Sequence, residues 1–431
     1  MYIAIIIVFI IGYACIAFEH TLKIDKAAIA LLTGTICWVL FMYGSDSLIP
    51  QIASGESAGW IDERLKEHLG DIAEILFFLM GAMTIVEIID AHEGFSIITD
   101  RIKTTNRVKL VWILGVLTFF LSAALDNLTT AIVMAALLRK MIKNKEDLWM
   151  FAGILIIAAN AGGAWSPIGD VTTIMLWIGG QITAGNIITQ IFIPSLVCLL
   201  VPLIIMTFRF KGNIESISPH SEHSIPVTHY EKKLVFSVGI GALLFVPIFK
   251  SITGLPPFMG ILMGLGVVWI LTELIHKSKS PKLKKPLTIA GVLQRIDTPS
   301  ILFFLGILIA VGSLQSAGHL VDLAQILDNN LNNIYLVNSA IGVLSSIVDN
   351  VPLVAGAMGM YSLETYPVDD TFWELLAFCA GTGGSILIIG SAAGVAIMGI
   401  LNIDFMWYVK NISLLAIAGY VAGILTFIAL N

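Results

Sequence analysis

Two Asp-Asn dipeptides, each embedded in a long apolar run, constrain the fold of this 431-residue chain more than any other feature. The first is Asp126-Asn127, and the second, more than two hundred residues later, is Asp349-Asn350. An ionisable carboxylate inside a membrane segment is costly, so it faces protein or water and marks a functional site by default. We therefore interpret the two dipeptides as the paired centres of one ion site.

The runs around these dipeptides are too apolar for a soluble domain, since 57% of the residues are hydrophobic and only 13% are charged. A membrane-spanning helix needs about 20 apolar residues, and the runs are longer than the alternating strands of an outer-membrane barrel. The sequence therefore predicts an all-α polytopic membrane protein. The four cysteines lie within apolar runs without the spacing of a metal cluster, which predicts buried, small apolar side chains.

The apolar runs fall into two sets that are separated by a polar stretch over residues 211–233, the clearest boundary in the chain. The first set predicts helices at 2–18, 27–43, 72–91, 108–125, 128–138, 149–178 and 187–208. The second set predicts helices at 234–249, 257–275, 300–316, 334–348, 351–361, 373–400 and 405–430. The runs 149–178 and 373–400 are each broken by glycine-rich polar sequence, so each predicts a discontinuous helix.

Three short matches recur in the same order in both sets at nearly constant offset. They are Ile75–Leu79 with Ile301–Leu305 (offset 226), Asp126-Asn127 with Asp349-Asn350 (offset 223), and Gly163 and Gly169 with Gly384 and Gly390 (offset 221). Constant spacing of this kind indicates an internal repeat. The predicted organisation is a first repeat over 1–210, a cytoplasmic linker over 211–233 and a second repeat over 234–431.

The two runs on either side of each Asp-Asn dipeptide are either full spans or the arms of a re-entrant hairpin. The run 351–361 would cover roughly 16 Å as a helix, which is too short to cross a bilayer. We therefore prefer re-entrant hairpins with the Asp-Asn pairs at their tips. Each repeat then has five spanning helices, one of them broken, and the odd number predicts that the second repeat is inverted relative to the first.

Basic residues are strongly biased to one side of this arrangement. With the amino terminus outside, the cytoplasmic connections hold 21 of the 24 Lys and Arg residues, as the positive-inside rule requires. These connections are 19–26, 92–109, 139–148, 209–233, 276–299 and 401–410. The sequence thus predicts that both termini are periplasmic.

Inverted repeats with discontinuous helices are typical of secondary transporters, whose sites lie near the bilayer midplane. Hard cations prefer oxygen ligands, and a carboxylate can hold either a cation or a proton, which is the minimal requirement for cation/proton exchange. The candidate ligands are Asp126, Asn127, Thr129, Thr130, Asn160, Ser166, Asp170, Thr172, Thr173, Ser345, Ser346, Asp349, Asn350, Ser385 and Ser391.

A structural interpretation competes with the ligand interpretation at each of these points. An aspartate at a helix start can cap backbone donors, and this applies to both Asp-Asn pairs, to Asp170 and to its repeat partner Ser391. The repeats also differ, because the first junction continues with Thr129-Thr130 and the second with Val351-Pro352. This difference predicts unequal chemistry, with Asp126 as the tighter ligand.

Four stretches of the sequence carry a resemblance to a known family, and the likeness covers nearly the whole chain. The stretches are Ser122-Ala-Ala-Leu-Asp-Asn-Leu-Thr-Thr-Ala, Asn160-Ala-Gly-Gly-Ala-Trp-Ser-Pro-Ile-Gly-Asp-Val-Thr-Thr, Ser345-Ser-Ile-Val-Asp-Asn-Val-Pro-Leu and Gly381-Thr-Gly-Gly-Ser-Ile-Leu-Ile-Ile-Gly-Ser-Ala-Ala-Gly. They resemble NhaD-type sodium/proton antiporters of the ion transporter superfamily.

The resemblance implies a secondary transporter that exports Na⁺ or Li⁺ in exchange for H⁺ across a bacterial inner membrane. It further implies a homodimer in the lipid bilayer, an elevator-like movement, no enzymatic activity, and neither a cofactor nor a nucleic-acid partner. The ion would lie at Asp126, Asn127, Asp349 and Asn350, and Glu74 joins the candidate site as an acidic residue of the matching helix.

Two other functions are weaker alternatives. Related superfamily members carry anions such as dicarboxylates or arsenite, but no Lys or Arg lies inside an apolar run near the junctions to attract one. An intramembrane hydrolase with paired aspartates would need its two carboxylates close enough to share a proton. The transporter-like repeat favours cation exchange over both.

Overall fold

The computed structural model describes most of the chain. The described residues are 1–17, 22–48, 57–99, 102, 104–215, 227–277, 279, 284–331, 333–347 and 349–431. Within these ranges the chain is helical, and the only strand-like pairing is a single antiparallel bridge between Asn106 and Asn213. The middle of the predicted linker, 216–226, lies outside the described residues, as does Val348 at the end of a predicted run.

The first set of apolar runs forms eight main helices. They are α1 (Tyr2–Ala17), α2 (Lys26–Leu48), α3 (Ser57–Ala91), α4 (Arg107–Leu125), α5 (Asn127–Met141), α6 (Lys145–Ala164), α7 (Val171–Ile178) and α8 (Ala184–Arg209). The predicted break in the run 149–178 separates α6 from α7. Asp126 alone separates α4 from α5.

The second set forms ten main helices. They are α9 (His229–Thr253), α10 (Pro257–Ile275), α11 (Thr298–Ser316), α12 (His319–Leu331), α13 (Ile334–Leu344), α14 (Asn350–Met360), α15 (Thr371–Gly383), α16 (Ala392–Leu401), α17 (Phe405–Asn411) and α18 (Ser413–Leu430). Short turns at Ser96–Thr99, Lys285–Leu287, Ile289–Leu293 and Ile388–Gly390 complete the described helical structure.

Nine helices in the described part of the chain are long and apolar enough to cross a membrane, or up to ten if the bent pair α16 and α17 is a single span. This confirms the predicted all-α polytopic membrane protein. The arms of the second Asp-Asn junction are shorter, since α13 and α14 have 11 residues each, roughly 16 Å of helix.

The structure differs from the predicted helices in three places. α3 has 35 residues and begins at Ser57 rather than near 72, because its polar first turns carry ion pairs between side chains three or four residues apart, such as Lys66 with Asp62. α12 was not predicted. The predicted helix 405–430 is interrupted at Ile412, between α17 and α18.

Glycine allows two equivalent close packings between helices. A Cβ added at Gly162 of α6 would overlap the backbone carbonyl of Phe119 in α4, and a Cβ added at Gly383 of α15 would overlap the backbone carbonyl of Gly342 in α13. The two sets also interlock, because α5 packs against α16 while α14 packs against α7. The ends of these four helices therefore meet in the protein interior.

Candidate ion-binding site

Asp170 lies at the centre of a buried polar network and is 1% exposed. Asn127, the first residue of α5, donates from Nδ2 to Asp170 Oδ2 at 2.5 Å. Asn350, the first residue of α14, donates from Nδ2 to Asp170 Oδ1 at 3.3 Å. The asparagines of both Asp-Asn pairs thus converge on one carboxylate.

Asp170 is also the N-cap of α7, as the structural interpretation of the sequence anticipated. Its Oδ1 accepts from the backbone N–H and the hydroxyl of Thr172, at 2.9 and 2.8 Å. Thr173 donates from Oγ1 to the Asp170 backbone carbonyl at 2.8 Å. Because these donors fix the carboxylate at the N-terminus of α7, its other oxygen, Oδ2, faces Asn127.

Asn160 connects this network to the second half of the chain. Its Oδ1 accepts from Asn127 at 3.1 Å, while its Nδ2 donates to the hydroxyls of Ser385 and Ser391, both at 2.9 Å. Ser391 in turn accepts from the Gly394 N–H and caps α16. Each of these polar side chains is buried, so the network replaces the water that the groups lose.

Asp126 fills the single position between α4 and α5 with a φ of 90°, a backbone conformation that is strained for a residue with a Cβ. Both of its carboxylate oxygens have a donor: the Thr129 N–H donates to Oδ1 and the Thr129 hydroxyl donates to Oδ2, each at 2.7 Å. A cavity of about 10 Å³ that Asp126 lines is otherwise apolar. That volume is roughly the space for one water molecule.

Asp349 is stabilised differently at the second junction. Its Oδ1 accepts from the Val351 N–H at 3.2 Å, and its Oδ2 lies 3.5 Å from Lys26 Nζ. Thr129, which supplies two donors to Asp126, is replaced here by Pro352, which has neither an N–H nor a hydroxyl. The two aspartates therefore cap their helices alike but differ in what faces their second oxygen.

The hydroxyls of several predicted ligands donate hydrogen bonds to backbone carbonyls outside the network. Ser166 donates to Ala123, Ser345 to Ala380 and Ser346 to Val343, at 2.6, 2.8 and 2.6 Å. Thr130 is buried one turn into α5, and its hydroxyl has no partner among the described residues. Glu74 is half-buried in α3, and in the described part of the chain no hydrogen bond or ion pair connects it to Asp170 or its asparagine partners.

Sequence reasoning missed Lys26. No Lys or Arg lies inside the apolar runs near the junctions, as the sequence indicated, but Lys26, just before the run 27–43, reaches Asp349 through tertiary packing. Tyr13 was missed for the same reason, and its hydroxyl donates to the Asp349 backbone carbonyl at 3.5 Å. Lys26 stands just before the run 27–43 and Tyr13 lies inside the run 2–18, so only their polarity in apolar surroundings could have drawn attention to them.

The network contains the buried carboxylate of Asp170 together with amide and hydroxyl oxygens. A further carboxylate lies at each junction, Asp126 at the first and Asp349 at the second. These are ligands for a hard cation, and each carboxylate is also a proton acceptor. In the described residues no three His, Cys, Asp or Glu side chains are grouped as they would be to hold a metal ion.

Within the described residues, nine or ten candidate membrane spans and a buried polar network between interrupted helices define a polytopic membrane protein of the kind that secondary transporters form. Residues 6–374 match the citrate transporter family, CitMHS. This chain belongs to that family.

Relatives of the chain have been named as antiporters in plants and bacteria. It is 50% identical over 429 residues to sodium/proton antiporter 1 of Arabidopsis thaliana, covering 100% of this chain and 72% of that protein. It is 46% identical to sodium/proton antiporter 2 of the same plant, over 99% of both chains. It is 31% identical to the Na⁺/H⁺ antiporter NhaD of Vibrio cholerae, over 99% of this chain and 91% of that protein. The resemblance to NhaD-type antiporters is confirmed.

Proposed function

We propose that this transporter exchanges Na⁺ or Li⁺ for H⁺. The observation that carries the proposal is the convergence of Asn127 and Asn350, from two separate Asp-Asn junctions, on the buried carboxylate of Asp170. A carboxylate held by neutral amide and hydroxyl groups can hold a small cation or a proton, but not both well. The printed names of the relatives, sodium/proton antiporters, support the same ions.

In the proposed cycle, Asp126 and Asp349 are the cation and proton carriers at the tips of two re-entrant hairpins, α4–α5 and α13–α14. Asp170, Asn160 and the two junction asparagines supply the remaining cation ligands, assisted by Thr129, Ser385 and Ser391. A proton on a carboxylate removes the charge that holds the cation. Cation release and proton binding are thereby coupled at the same oxygens.

The proposed architecture is a pair of inverted repeats, 1–210 and 234–431, joined by the linker 211–233. Equivalent contacts at the predicted offsets support it: Ser122 Oγ donates to the Ala159 carbonyl at 2.5 Å, and Ser345 Oγ donates to the Ala380 carbonyl at 2.8 Å. The paired glycine contacts and the reciprocal packing of α5 with α16 and α14 with α7 agree with the same symmetry.

The proposed orientation places both termini on the periplasmic side of a bacterial inner membrane. Contacts between the connections that the charge distribution assigns to the cytoplasmic side support this orientation. Arg107 pairs with Asp147 at 2.6 Å, Lys143 with Glu215 at 3.0 Å, and Arg295 with Glu87 at 3.5 Å. Four separate connections therefore lie next to one another or next to the end of α3.

We further propose that the protein works as a homodimer and moves its site by an elevator-like displacement of the helices that carry the two junctions. The short helices α7 and α14, which meet at Asp170, would move together as part of that unit. No cofactor is required by this cycle, because the ions alone carry the driving force.

A citrate or other anion carrier is the second candidate, because the family is described by citrate transport. Lys26 is a basic side chain beside the second junction, and its ammonium already faces Asp349. A polyanion at Asp170 would meet an unfavourable negative charge. The site therefore favours a cation.

The proposal is tested with inverted membrane vesicles that hold an acid-inside pH gradient. Addition of Na⁺ or Li⁺ at alkaline pH should dissipate the gradient in the wild type, and Asp126→Asn or Asp349→Asn should each abolish the response. A wild-type protein that leaves the gradient intact would refute cation/proton exchange. Dissipation by citrate instead would support the anion carrier.

A further inference from the structure

The Lys26 ammonium contacts both a carboxylate and an aromatic ring. Its Nζ lies 3.5 Å from Asp349 Oδ2 and 4.3 Å from the centroid of the Phe303 ring in α11. An ammonium between a carboxylate and an aromatic face is stabilised by both. Only 21% of the Lys26 side chain and 13% of the Asp349 side chain are exposed, so water screens the pair only in part.

The backbone positions of Lys26 and Phe303 are fixed relative to each other by close packing of α2 against α11. A Cβ added at Gly306 would lie 2.5 Å from the backbone of Ala30, and no larger residue fits between the two helices there. Lys26 is four residues before Ala30, and Phe303 is three residues before Gly306. The lysine is thus presented to the junction by the packed pair α2 and α11, and α11 also packs against α14.

The sequence of the second junction explains why a lysine is needed there and not at the first. Thr129 places two donors on the Asp126 carboxylate, whereas Pro352, at the corresponding position, supplies none. A partly buried carboxylate without such donors is costly unless a positive charge lies beside it. Lys26 supplies that charge to Asp349.

We infer that Lys26 is a tethered cation that occupies Asp349 when no transported cation is bound, and that it competes with Na⁺ or Li⁺ for this carboxylate. The inference rests on the proposed function, since it assumes that Asp349 is a carrier. It adds a residue from outside the four family-like stretches to the ion cycle. When the cation leaves Asp349, the Lys26 ammonium takes its place. The negative charge of the carboxylate therefore always has a positive charge beside it.

The test compares the KM for Na⁺ in the vesicle assay for the wild type, Lys26→Gln and Lys26→Arg. Removal of the competing charge should lower the KM by about fivefold in Lys26→Gln, whereas Lys26→Arg should keep the wild-type value. Lys145→Gln is the matched control, because Lys145 also begins a helix and lies over an aromatic ring, 4.4 Å from the Trp149 centroid. Its KM should not change.

Each result distinguishes this inference from the proposed function. A wild type that exchanges Na⁺ while Lys26→Gln keeps the same KM, or has a higher one, would overturn the competition alone. A wild type without exchange would overturn the proposed function and the competition together. If Lys26→Gln lacks exchange, its yield and its elution as a folded species on size exclusion are measured: a folded, inactive variant overturns the competition. If the variant is misfolded, Lys26→Met and Lys26→Ala replace it, and an unlowered KM in these variants overturns it equally.

Discussion

Each of the two Asp-Asn junctions places an aspartate at the start of a helix, but different groups face the two carboxylates. At the first, both oxygens of Asp126 accept from Thr129 within the same helix turn. At the second, Asp349 shares a carboxylate oxygen with Lys26, which comes from a distant helix. In the proposed repeat, the charge has the same position at both junctions, whereas the groups that compensate it differ.

The largest effect is expected at the carboxylate that both junctions share. Asp170→Asn should reduce Na⁺-dependent dissipation of the pH gradient by at least about 100-fold, because the charge that attracts the cation is lost. Asparagine is as good an N-cap as aspartate, so α7 should still form. Asp370→Asn is the matched control, since Asp370 caps α15 through the Phe372 N–H at 2.8 Å, away from the network. Full exchange in Asp170→Asn would show that the two junctions work without a common centre.

The second comparison is between the two junction asparagines, Asn127 and Asn350, and their contributions to Na⁺ binding. Asn127 Nδ2 lies 2.5 Å from Asp170, whereas Asn350 Nδ2 lies 3.3 Å away. Shorter, charge-assisted hydrogen bonds are the stronger ones, so the KM for Na⁺ should rise about tenfold in Asn127→Ala and about threefold in Asn350→Ala, where tenfold is about 1.4 kcal/mol.

Asn338→Ala controls for stability in this comparison. It removes a buried amide that donates to the Phe372 carbonyl at 3.2 Å, so it should lower the melting temperature without changing the KM. An equal rise in KM for the two junction variants would mean that the difference in distance has no consequence for ion binding.

A third experiment converts one junction into the other. Pro352→Thr restores at the second junction the residue that serves Asp126, so Asp349 should gain local donors and depend less on Lys26. In this background the effect of Lys26→Gln on the KM should shrink from about fivefold to about twofold or less, and the double-mutant cycle measures the coupling directly. A full fivefold effect in both backgrounds would disprove the link between Pro352 and Lys26.

The smallest effect is expected at two histidines, His92 and His276, which directly follow the last residues of α3 and α10. His92 Nε2 and His276 Nε2 are 2.7 Å apart, and His92 Nδ1 lies 2.7 Å from the Ile88 carbonyl. Burial, reinforced by the nearby ammonium of Lys279, lowers the pKa of His276 from 6.5 to about 4. Burial likewise lowers the pKa of His92. The pair is therefore neutral in the folded protein at neutral pH.

Because the folded state lowers these pKa values, the unfolded chain binds more protons between pH 6.5 and 4, and stability should fall as the pH falls through this range. In His276→Gln the acid-induced decrease of the melting temperature should be smaller by roughly 1 °C, about the shift that 1 kcal/mol produces in a chain of this length. Glu231, which faces His276 Nδ1 at 3.9 Å, opposes the effect by stabilising the protonated ring. An unchanged pH dependence of the melting temperature in this variant would contradict the expected contribution of the histidine pair to stability. An altered KM for Na⁺ would show that the pair also affects ion binding.

The helices were predictable from the sequence because the membrane requires long apolar segments, and the junctions were predictable because a charge inside such a segment stands out. Thus α5 begins at Asn127 and α14 at Asn350, within one residue of the predicted run starts. The amphipathic helix α12 and the polar start of α3 were not predicted, because neither satisfies the apolar criterion that identifies membrane spans.

The site was predicted as a set of residues but not as an arrangement. Capping and ligand roles looked like alternatives for Asp170 in the sequence, whereas in the structure one oxygen caps α7 and the other accepts from Asn127. The pairing of Lys26 with Asp349 joins residues more than three hundred positions apart. No periodicity or motif encodes a contact of that kind, because it depends on how α2 packs against α11.

Asn160 has a consequence for how the chain can be divided. Its amide belongs to the first half, but both of its donors are satisfied by Ser385 and Ser391 of the second half. If each half were produced as a separate polypeptide, neither would contain the partners for its own buried polar groups, and each would be prone to degradation when expressed alone. Co-expressed, the two fragments should protect each other and assemble, because the Asn160 amide donates across the boundary between the two halves.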